Sequence, residues 1–142
     1  PMIFAKNIFN KLPIDVFNFG RMKRDFTYID DIVEAIFRCC YKPATPNKEF
    51  DYFNPDPATS FAPHRVFNIG NSKQVELLDF IDILEKNIGI DAIKNLKDLE
   101  VGDVIETYSD SSKIEEWIGF APQTDIEKGV EIFINWYRSY YS

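Results

Sequence analysis

The sequence is poor in the residues that build metal sites and disulfide frameworks, with one histidine and two cysteines in 142 residues. No group of cysteine, histidine and carboxylate residues has the spacing of metal ligands, so we expect no metal site. Cys39 and Cys40 are adjacent, and adjacent cysteines rarely pair with each other. We therefore expect buried free thiols, as is usual for a protein of the reducing cytoplasm.

Long apolar runs and an excess of basic residues are also lacking. The sequence contains no run long enough to span a bilayer, so we expect no signal peptide and no membrane partner. Sixteen Lys and Arg residues stand against 23 Asp and Glu residues, which gives a formal net charge of −7. This balance disfavours nucleic-acid binding, because neutralising phosphates needs basic clusters. Local arginines or main-chain N–H groups can still bind an anionic ligand.

The six glycines are scattered, and nowhere do they form Gly-x-x-Gly-x-x-Gly after a predicted strand. The fingerprint of a dinucleotide-binding fold is therefore missing from this sequence. Hydrophobic residues make up 45% and aromatic residues 15% of the chain, which argues against disorder. A chain of this length can bury one hydrophobic core, so residues 1–142 are predicted to form a single domain.

The first third of the chain predicts helix, strand, turn, strand and helix. Apolar residues at helical spacing indicate a helix over residues 2–10, which Pro13 prevents from continuing. Residues 14–19 are strand-like, and Gly20 marks a turn. A short strand beginning at Arg24 then leads directly into a second helix, whose first turn carries two aspartates and whose apolar face is predicted from Ile32, Ala35, Ile36, Cys39 and Cys40.

The rest of the chain alternates irregular segments with helices. Residues 41–63 contain five prolines and predict a long irregular segment that packs on the surface through its aromatic side chains. A short strand is predicted over residues 66–69 and a helix over 77–88 that Gly89 caps. Two further helices are predicted, a short one containing Ile114 and Trp117 and a final one that begins after Asp125. Helices that alternate with short strands indicate an α/β fold.

The stretch Arg24-Asp-Phe-Thr-Tyr-Ile-Asp-Asp-Ile32 resembles a segment in the carboxyl half of extended short-chain dehydrogenase/reductase enzymes. Within that family it is most similar to nucleotide-sugar epimerases, and especially to UDP-glucuronate 4-epimerases. The resemblance continues in family order through Ala62-Pro63, Asn68-Ile-Gly-Asn71, Gly102-Asp-Val104 and Asn135-Trp-Tyr-Arg138. It implies the substrate-binding carboxyl-terminal part of that fold, without most of the Rossmann domain.

The resemblance also implies a set of substrate-binding residues. Arg24 matches the arginine that contacts the diphosphate of a UDP-sugar, and Asp103 matches the aspartate that accepts hydrogen bonds from the ribose. Val16 and Phe17 lie on the strand that runs beside the uracil ring. Each residue also has a structural interpretation: Arg24 in an ion pair with Asp25 or another acid, Asp103 as a turn residue, and Val16 and Phe17 in the core.

Glu100 departs from the family pattern. Three residues before the matching aspartate the family has Arg, or Gln in some branches, facing the pyrophosphate. A carboxylate at this position repels phosphate. Either Glu100 points away from the ligand, or the affinity for nucleotides has decayed.

The family's catalytic Tyr-x-x-x-Lys pair is also missing, because neither Tyr137 nor Tyr140 precedes a lysine at that spacing. In the complete family enzyme this tyrosine is the general base for hydride transfer to NAD. We therefore expect no catalytic residue and no cofactor in this chain alone, with NAD bound by the complete enzyme.

We expect weak binding of a UDP-sugar, possible pairing with a separate NAD-binding half, self-association into a homo-oligomer, and a cytoplasmic location. The alternative is a noncatalytic binding or interaction module.

Overall fold

The computed structural model describes residues 1–141, which form two compact units. Unit 1 comprises residues 1–26, 73–108 and 124–141, and unit 2 comprises residues 27–72 and 109–123. The α/β class predicted from the sequence is confirmed. The interpretation of the whole chain as a single domain stays a prediction.

Among the described residues, unit 1 contains three α-helices and four strands. The helices are α1 (Met2–Phe9), α3 (Leu77–Ile88) and α5 (Ile126–Tyr141). The strands are β1 (Ile14–Val16), β2 (Lys23–Asp25), β3 (Gln74–Glu76) and β4 (Lys94–Leu96). They form two separate pairs: β1 with β4 in parallel, and β2 with β3 antiparallel.

The core of unit 1 lies between its three helices and β1. The apolar stripes predicted from helical spacing in α3 and α5 supply most of it, because Ile81, Leu84, Val130 and Ile134 are all buried. Gly89 ends α3 in the left-handed conformation, as predicted, and its N–H donates to the carbonyl of Glu85.

Unit 2 is built from α2 (Ile29–Tyr41), α4 (Ser112–Ile118) and the proline-rich segment 42–65. Asp30 and Asp31 occupy the first turn of α2, where negative charge favours the helix terminus. Arg38 joins α2 to the end of α4 by a hydrogen bond to the Gly119 carbonyl and by a contact with the ring of Phe120.

Three predictions of local structure were wrong. Residues 66–69 form no strand among the described residues: the Val66 N–H donates to the Ala58 carbonyl beside an isolated bridge between Thr59 and Arg65, and the pairing does not continue along the chain. Only residues 14–16 of the predicted 14–19 strand are extended, and the chain then turns tightly. The predicted buried face of α2 is rotated, so that Ala35 is buried whereas Ile36 and Cys40 are exposed. The thiol of Cys40 is therefore not a core group.

Candidate functional site

Val16 is the last residue of β1 and Phe17 the first residue of the turn that follows it, and both are among the four predicted site residues. Val16 has no exposed surface, and its carbonyl accepts a hydrogen bond of 3.0 Å from the Lys97 N–H, just beyond β4. Its side chain thus belongs to the core and its carbonyl to the sheet. Val16 was interpreted either as a residue beside the uracil ring or as a core residue, and the core interpretation accounts for all of these contacts.

The opposite edge of β1 presents main-chain polar groups that no strand covers. The N–H of Ile14 and the carbonyl of Val16 point toward β4, and neighbouring residues of a strand point their polar groups in opposite directions. The Asp15 carbonyl and the Phe17 N–H therefore face away from β4. Among residues 1–141 neither group has a hydrogen-bond partner. A donor and an acceptor this close together match the edge of a nucleobase or an amide.

A cavity of about 520 Å³ lies beside this edge. Asp15 and Phe17 line it together with Pro1 and with Phe4 of α1. Its volume falls within the range of about 300–1,000 Å³ that is typical of small-molecule sites.

The turn after β1 is strained. Asn18 and Phe19 have φ values of 49° and 53°, and Gly20 has a φ of 80°. A left-handed conformation is unusual for phenylalanine and costs on the order of 1–3 kcal/mol. The Asn18 side chain stabilises the turn by donating to the Arg21 carbonyl at 2.8 Å, and the Phe19 N–H donates to the Lys97 carbonyl at 3.0 Å.

Lys97 was not predicted as a site residue, yet it contacts both side chains that flank Val16. Its ammonium lies 2.8 Å from a carboxylate oxygen of Asp15 and 5.7 Å from the centre of the Phe17 ring. The hydrogen bonds from Lys97 and from Asn95 lower the pKa of Asp15 below its ordinary value of 3.8. Asp15 of β1 and Lys97 therefore form a partly exposed pair of opposite charges.

Arg24 lies in the middle of β2, opposite Val75 of β3. Its guanidinium donates to the main-chain carbonyls of Lys23 at 2.9 Å and Ile105 at 3.1 Å, both through Nη1. Within residues 1–141 Arg24 forms no ion pair, so the structural alternative of a salt bridge is not realised in the part of the chain described. Its remaining N–H groups retain the capacity to bind an anion.

Asp103 ends a β-turn that begins at Glu100. The Asp103 N–H donates to the Glu100 carbonyl at 3.1 Å, and Gly102 at the third position has a φ of 95°. A type II turn requires such a φ at this position, which is why glycine occupies it. Glu100 and Asp103 are both exposed and stand at the two ends of one turn.

The predicted residues are linked by one continuous stretch, the 94–107 segment. It pairs with β1 through β4, turns at residues 100–103, and then runs beside β2, where Lys23 donates to the Ile105 carbonyl and accepts from the Thr107 N–H. All four predicted residues belong to unit 1: Asp103 lies within the 94–107 segment, and Val16, Phe17 and Arg24 lie in or next to the strands that the segment runs beside. The sequence offered no local signal for the Asp15–Lys97 pair, because its members are 82 residues apart.

The described residues do not fit a bound NAD. Within residues 1–141 each sheet has two strands, and the direct connections from β2 to α2 and from β3 to α3 contain no glycine. In residues 1–141 there is also no group of three or more His, Cys, Asp or Glu side chains placed to hold a metal. None of the helices described is both long and apolar enough to cross a membrane.

Curated relatives match nearly the whole chain. Protein CapI from Staphylococcus aureus is 50% identical over 138 residues, covering 97% of this chain and 41% of that protein. A probable UDP-glucuronate 4-epimerase from Rhizobium meliloti is 41% identical over 142 residues, covering 97% of this chain and 41% of the relative. The chain therefore spans about two fifths of the length of the curated relatives that it matches. No family model matches it.

Solved structures also match nearly the whole of this chain and only part of their own length. The crystal structure of a UDP-glucuronic acid 4-epimerase from Bacillus cereus, in complex with UDP-glucuronic acid and NAD, matches with a TM-score of 0.76 and 26% sequence identity. The match covers 97% of this chain and 39% of the Bacillus chain. The similarity thus extends through both units but reaches only part of the solved enzyme.

Proposed function

We propose that this chain binds the UDP part of a sugar nucleotide. The chain belongs to the UDP-glucuronate 4-epimerase-like proteins of the extended short-chain dehydrogenase/reductase family and corresponds to their carboxyl-terminal portion. The observation that carries this proposal is the 94–107 segment, which links β1, the Glu100–Asp103 turn and β2 within unit 1.

The uracil ring would lie along the free edge of β1. The Phe17 N–H would donate to a base carbonyl, and the Asp15 carbonyl would accept from the base N–H. Val16 would contribute by keeping the strand paired with β4, since its own carbonyl bonds Lys97. The cavity of about 520 Å³ beside this edge has room for a planar ring.

The diphosphate would be held by Arg24 and the ribose by Asp103. A guanidinium forms short, charge-assisted hydrogen bonds with phosphate oxygens, and Arg24 has N–H groups that no described carboxylate occupies. Asp103 is exposed at the end of its turn, so its carboxylate can accept hydrogen bonds from two vicinal hydroxyls. Glu100 in the same turn opposes phosphate, and we therefore expect weak binding.

The catalytic step of a complete family enzyme would need groups that this stretch does not contain. NAD would supply hydride transfer at the sugar, and its binding site and the Tyr-x-x-x-Lys pair are missing from this sequence. A separate NAD-binding half would be the partner that completes the enzyme. We place the protein in the cytoplasm, in line with its free cysteines.

A second function, as an interaction module, is favoured by one specific observation. The outer face of α2 carries Ile29, Val33, Ile36, Phe37 and Tyr41, and each of these side chains is more than half exposed. Together they offer on the order of several hundred Å² of apolar surface, more than single scattered residues do. We propose that a second copy of the chain covers this face in a homo-oligomer.

Calorimetric titration of the purified chain with UDP, UDP-glucuronate and NAD tests the main proposal. We expect weak, saturable binding of UDP and UDP-glucuronate, no binding of NAD, and no conversion of UDP-glucuronate above a heat-inactivated control. A chain that binds neither UDP compound would favour the interaction module. Turnover by the pure protein would overturn the assignment of catalysis to a separate part.

A further inference from the structure

Unit 1 contains a second cavity, whose lining includes none of the residues proposed to bind UDP. Its volume is about 530 Å³, within the range that is typical of small-molecule sites. Lys6 and Phe9 of α1 and Tyr137, Arg138 and Tyr141 of α5 are among its lining residues. All of them belong to unit 1, so the cavity is a feature of that unit alone.

The charged residues that line this cavity are both cations, although the whole chain has a net charge of −7. Lys6 is exposed, and its ammonium forms no ion pair or hydrogen bond within residues 1–141. Arg138 donates through Nη2 to the carbonyls of Asn87 and Ile88, at 2.9 and 3.0 Å, which leaves its Nη1 without a partner in the described chain. Since no carboxylate of the described lining neutralises these cations, an anion is the complementary ligand.

Tyr137 adds a hydroxyl donor to the same cavity. The residue is only 7% exposed, and its hydroxyl forms no hydrogen bond among residues 1–141. The hydroxyl is not one of the fully buried polar atoms that lack a partner in this part of the chain, so it keeps surface that a ligand can contact. A buried tyrosine usually has a partner for its hydroxyl, and an acceptor on a ligand would supply one.

Aromatic rings form much of the apolar lining. The rings of Phe9 and Tyr137 are stacked with their centres 5.2 Å apart, and those of Tyr137 and Tyr141 are 4.6 Å apart. The Arg138 guanidinium lies 5.8 Å from the centre of the Phe9 ring, so a cation stands directly beside the rings. Flat rings favour a planar aromatic guest, through offset-stacked or edge-to-face contacts. A negative group attached to an aromatic ring therefore matches both parts of the lining.

The unpaired donors limit the negative group to about one charge. One free ammonium and a guanidinium already bonded to two carbonyls can offset a single carboxylate, whereas a polyanion would also be repelled by the net charge of the chain. We propose that this cavity is a binding site for an aromatic monocarboxylate. Lys6, Tyr137 and Arg138 bond the carboxylate, and Phe9 and Tyr141 contact the ring.

Benzoate is the probe for this site. Benzamide keeps the planar ring without the charge, and cyclohexanecarboxylate keeps the charge without the planar ring. Saturation-transfer NMR of each compound with the purified chain measures the affinities. We expect benzoate to bind saturably with a Kd on the order of a few millimolar, and each control compound to bind at least about fivefold more weakly.

Two substitutions separate the groups that bond the carboxylate. Lys6→Gln should weaken benzoate binding about three- to tenfold, because it removes an exposed charge without disturbing the core. Tyr137→Phe keeps the stacked ring and removes only the hydroxyl, and it should weaken binding by a similar factor. Lys86→Gln is the matched control, because Lys86 is also an exposed lysine in the last turn of a helix of unit 1 but does not line the cavity. It should change nothing.

Several results would overturn the proposal. Benzamide or cyclohexanecarboxylate binding as tightly as benzoate would remove the specificity, and no saturation of benzoate up to about 50 mM would remove the site itself. Unchanged affinity in both Lys6→Gln and Tyr137→Phe, with native circular dichroism, would show that these groups do not bond the carboxylate.

Competition with UDP distinguishes this cavity from the proposed nucleotide site. Met2 and Ile3 line both this cavity and the one beside β1, so the two sites are neighbours. We expect excess UDP to leave benzoate binding unchanged. Displacement of benzoate by UDP would place it in the nucleotide site and contradict the proposal. Benzoate binding by a chain that does not bind UDP would support this site while the nucleotide proposal failed.

Discussion

The Arg24 guanidinium donates a hydrogen bond of 3.1 Å to the main-chain carbonyl of Ile105, 81 residues further along the chain. Together with the hydrogen bonds between Lys23 and residues 105 and 107, this contact keeps the 94–107 segment beside β2. Asp103 precedes Ile105 by only two residues. The side chain proposed to bind the diphosphate thus also positions the turn proposed to bind the ribose.

Arg24→Lys should weaken UDP binding by about 10- to 100-fold, because lysine lacks the fork that bonds two phosphate oxygens at once. Binding of uridine, which has no phosphate, should not change. Calorimetry with both ligands measures the difference. Arg21→Lys, on the turn before β2, is the matched control. Equal losses for UDP and uridine would show that Arg24 acts through the position of the 94–107 segment rather than through phosphate.

Glu100→Arg should strengthen UDP binding about tenfold, since an opposing charge near the diphosphate becomes an attracting one. The gain should shrink as salt is added, because exposed charges are screened. Glu49→Arg makes the same charge change on an exposed residue of unit 2 and serves as the control. If the Glu100 variant binds UDP as the parent chain does, Glu100 does not face the phosphates.

The chain should form a homodimer or a larger oligomer at roughly tens of micromolar, because water contact with apolar surface costs about 25 cal/mol per Å². Static light scattering gives the mass. Ile36→Glu, at a position 54% exposed on α2, should give the monomer, whereas Ile3→Glu, at a position 72% exposed on α1, should not. A monomeric parent chain that binds no hydrophobic dye would contradict the interface.

Exposed Cys40 offers a second measurement of the same face. Its reaction with a thiol reagent should slow as the protein concentration rises, because association would bury it. A rate that is independent of concentration would place the interface elsewhere.

Glu85→Gln should lower the free energy of unfolding at pH 7 by about 1 kcal/mol, because Glu85 accepts charge-assisted hydrogen bonds. Burial by itself raises the pKa of Glu85, but the bonds from Lys94 at 2.7 Å and the Ala92 N–H at 2.7 Å outweigh it and leave this pKa below its ordinary value of 4.5. A lowered carboxyl pKa stabilises the fold above the unfolded-state value, and this contribution is lost as pH falls through the folded-state value.

The difference between Glu85 and its glutamine variant should therefore be complete above pH 4.5 and disappear as the solution becomes more acidic. Urea unfolding from pH 7 downward measures it. Glu127→Gln, on an exposed position in the first turn of α5, is the control and should show a smaller change. A difference for Glu85 that persists at low pH would mean that packing, not charge, stabilises this contact.

The sequence by itself determined the helices and the family. Helical spacing of apolar residues located α1, α3 and α5, and Gly89 marked the end of α3, because these signals depend only on neighbours within a few turns. The motif at residues 24–32, together with blocks in family order, identified the extended short-chain dehydrogenase/reductase family, and the curated relatives and solved structures confirm it. Both results rest on local patterns.

Only the tertiary structure decided the strands and the surroundings of the site. Lys94–Leu96 is exposed and has no alternating pattern, so it becomes a strand only because β1 lies beside it. Residues 66–69 do show an extended pattern but find no partner strand among the described residues. The Asp15–Lys97 pair and the Arg24–Ile105 bond join residues about 80 positions apart. Strand pairing and such contacts depend on which distant segments meet, and local sequence does not encode that.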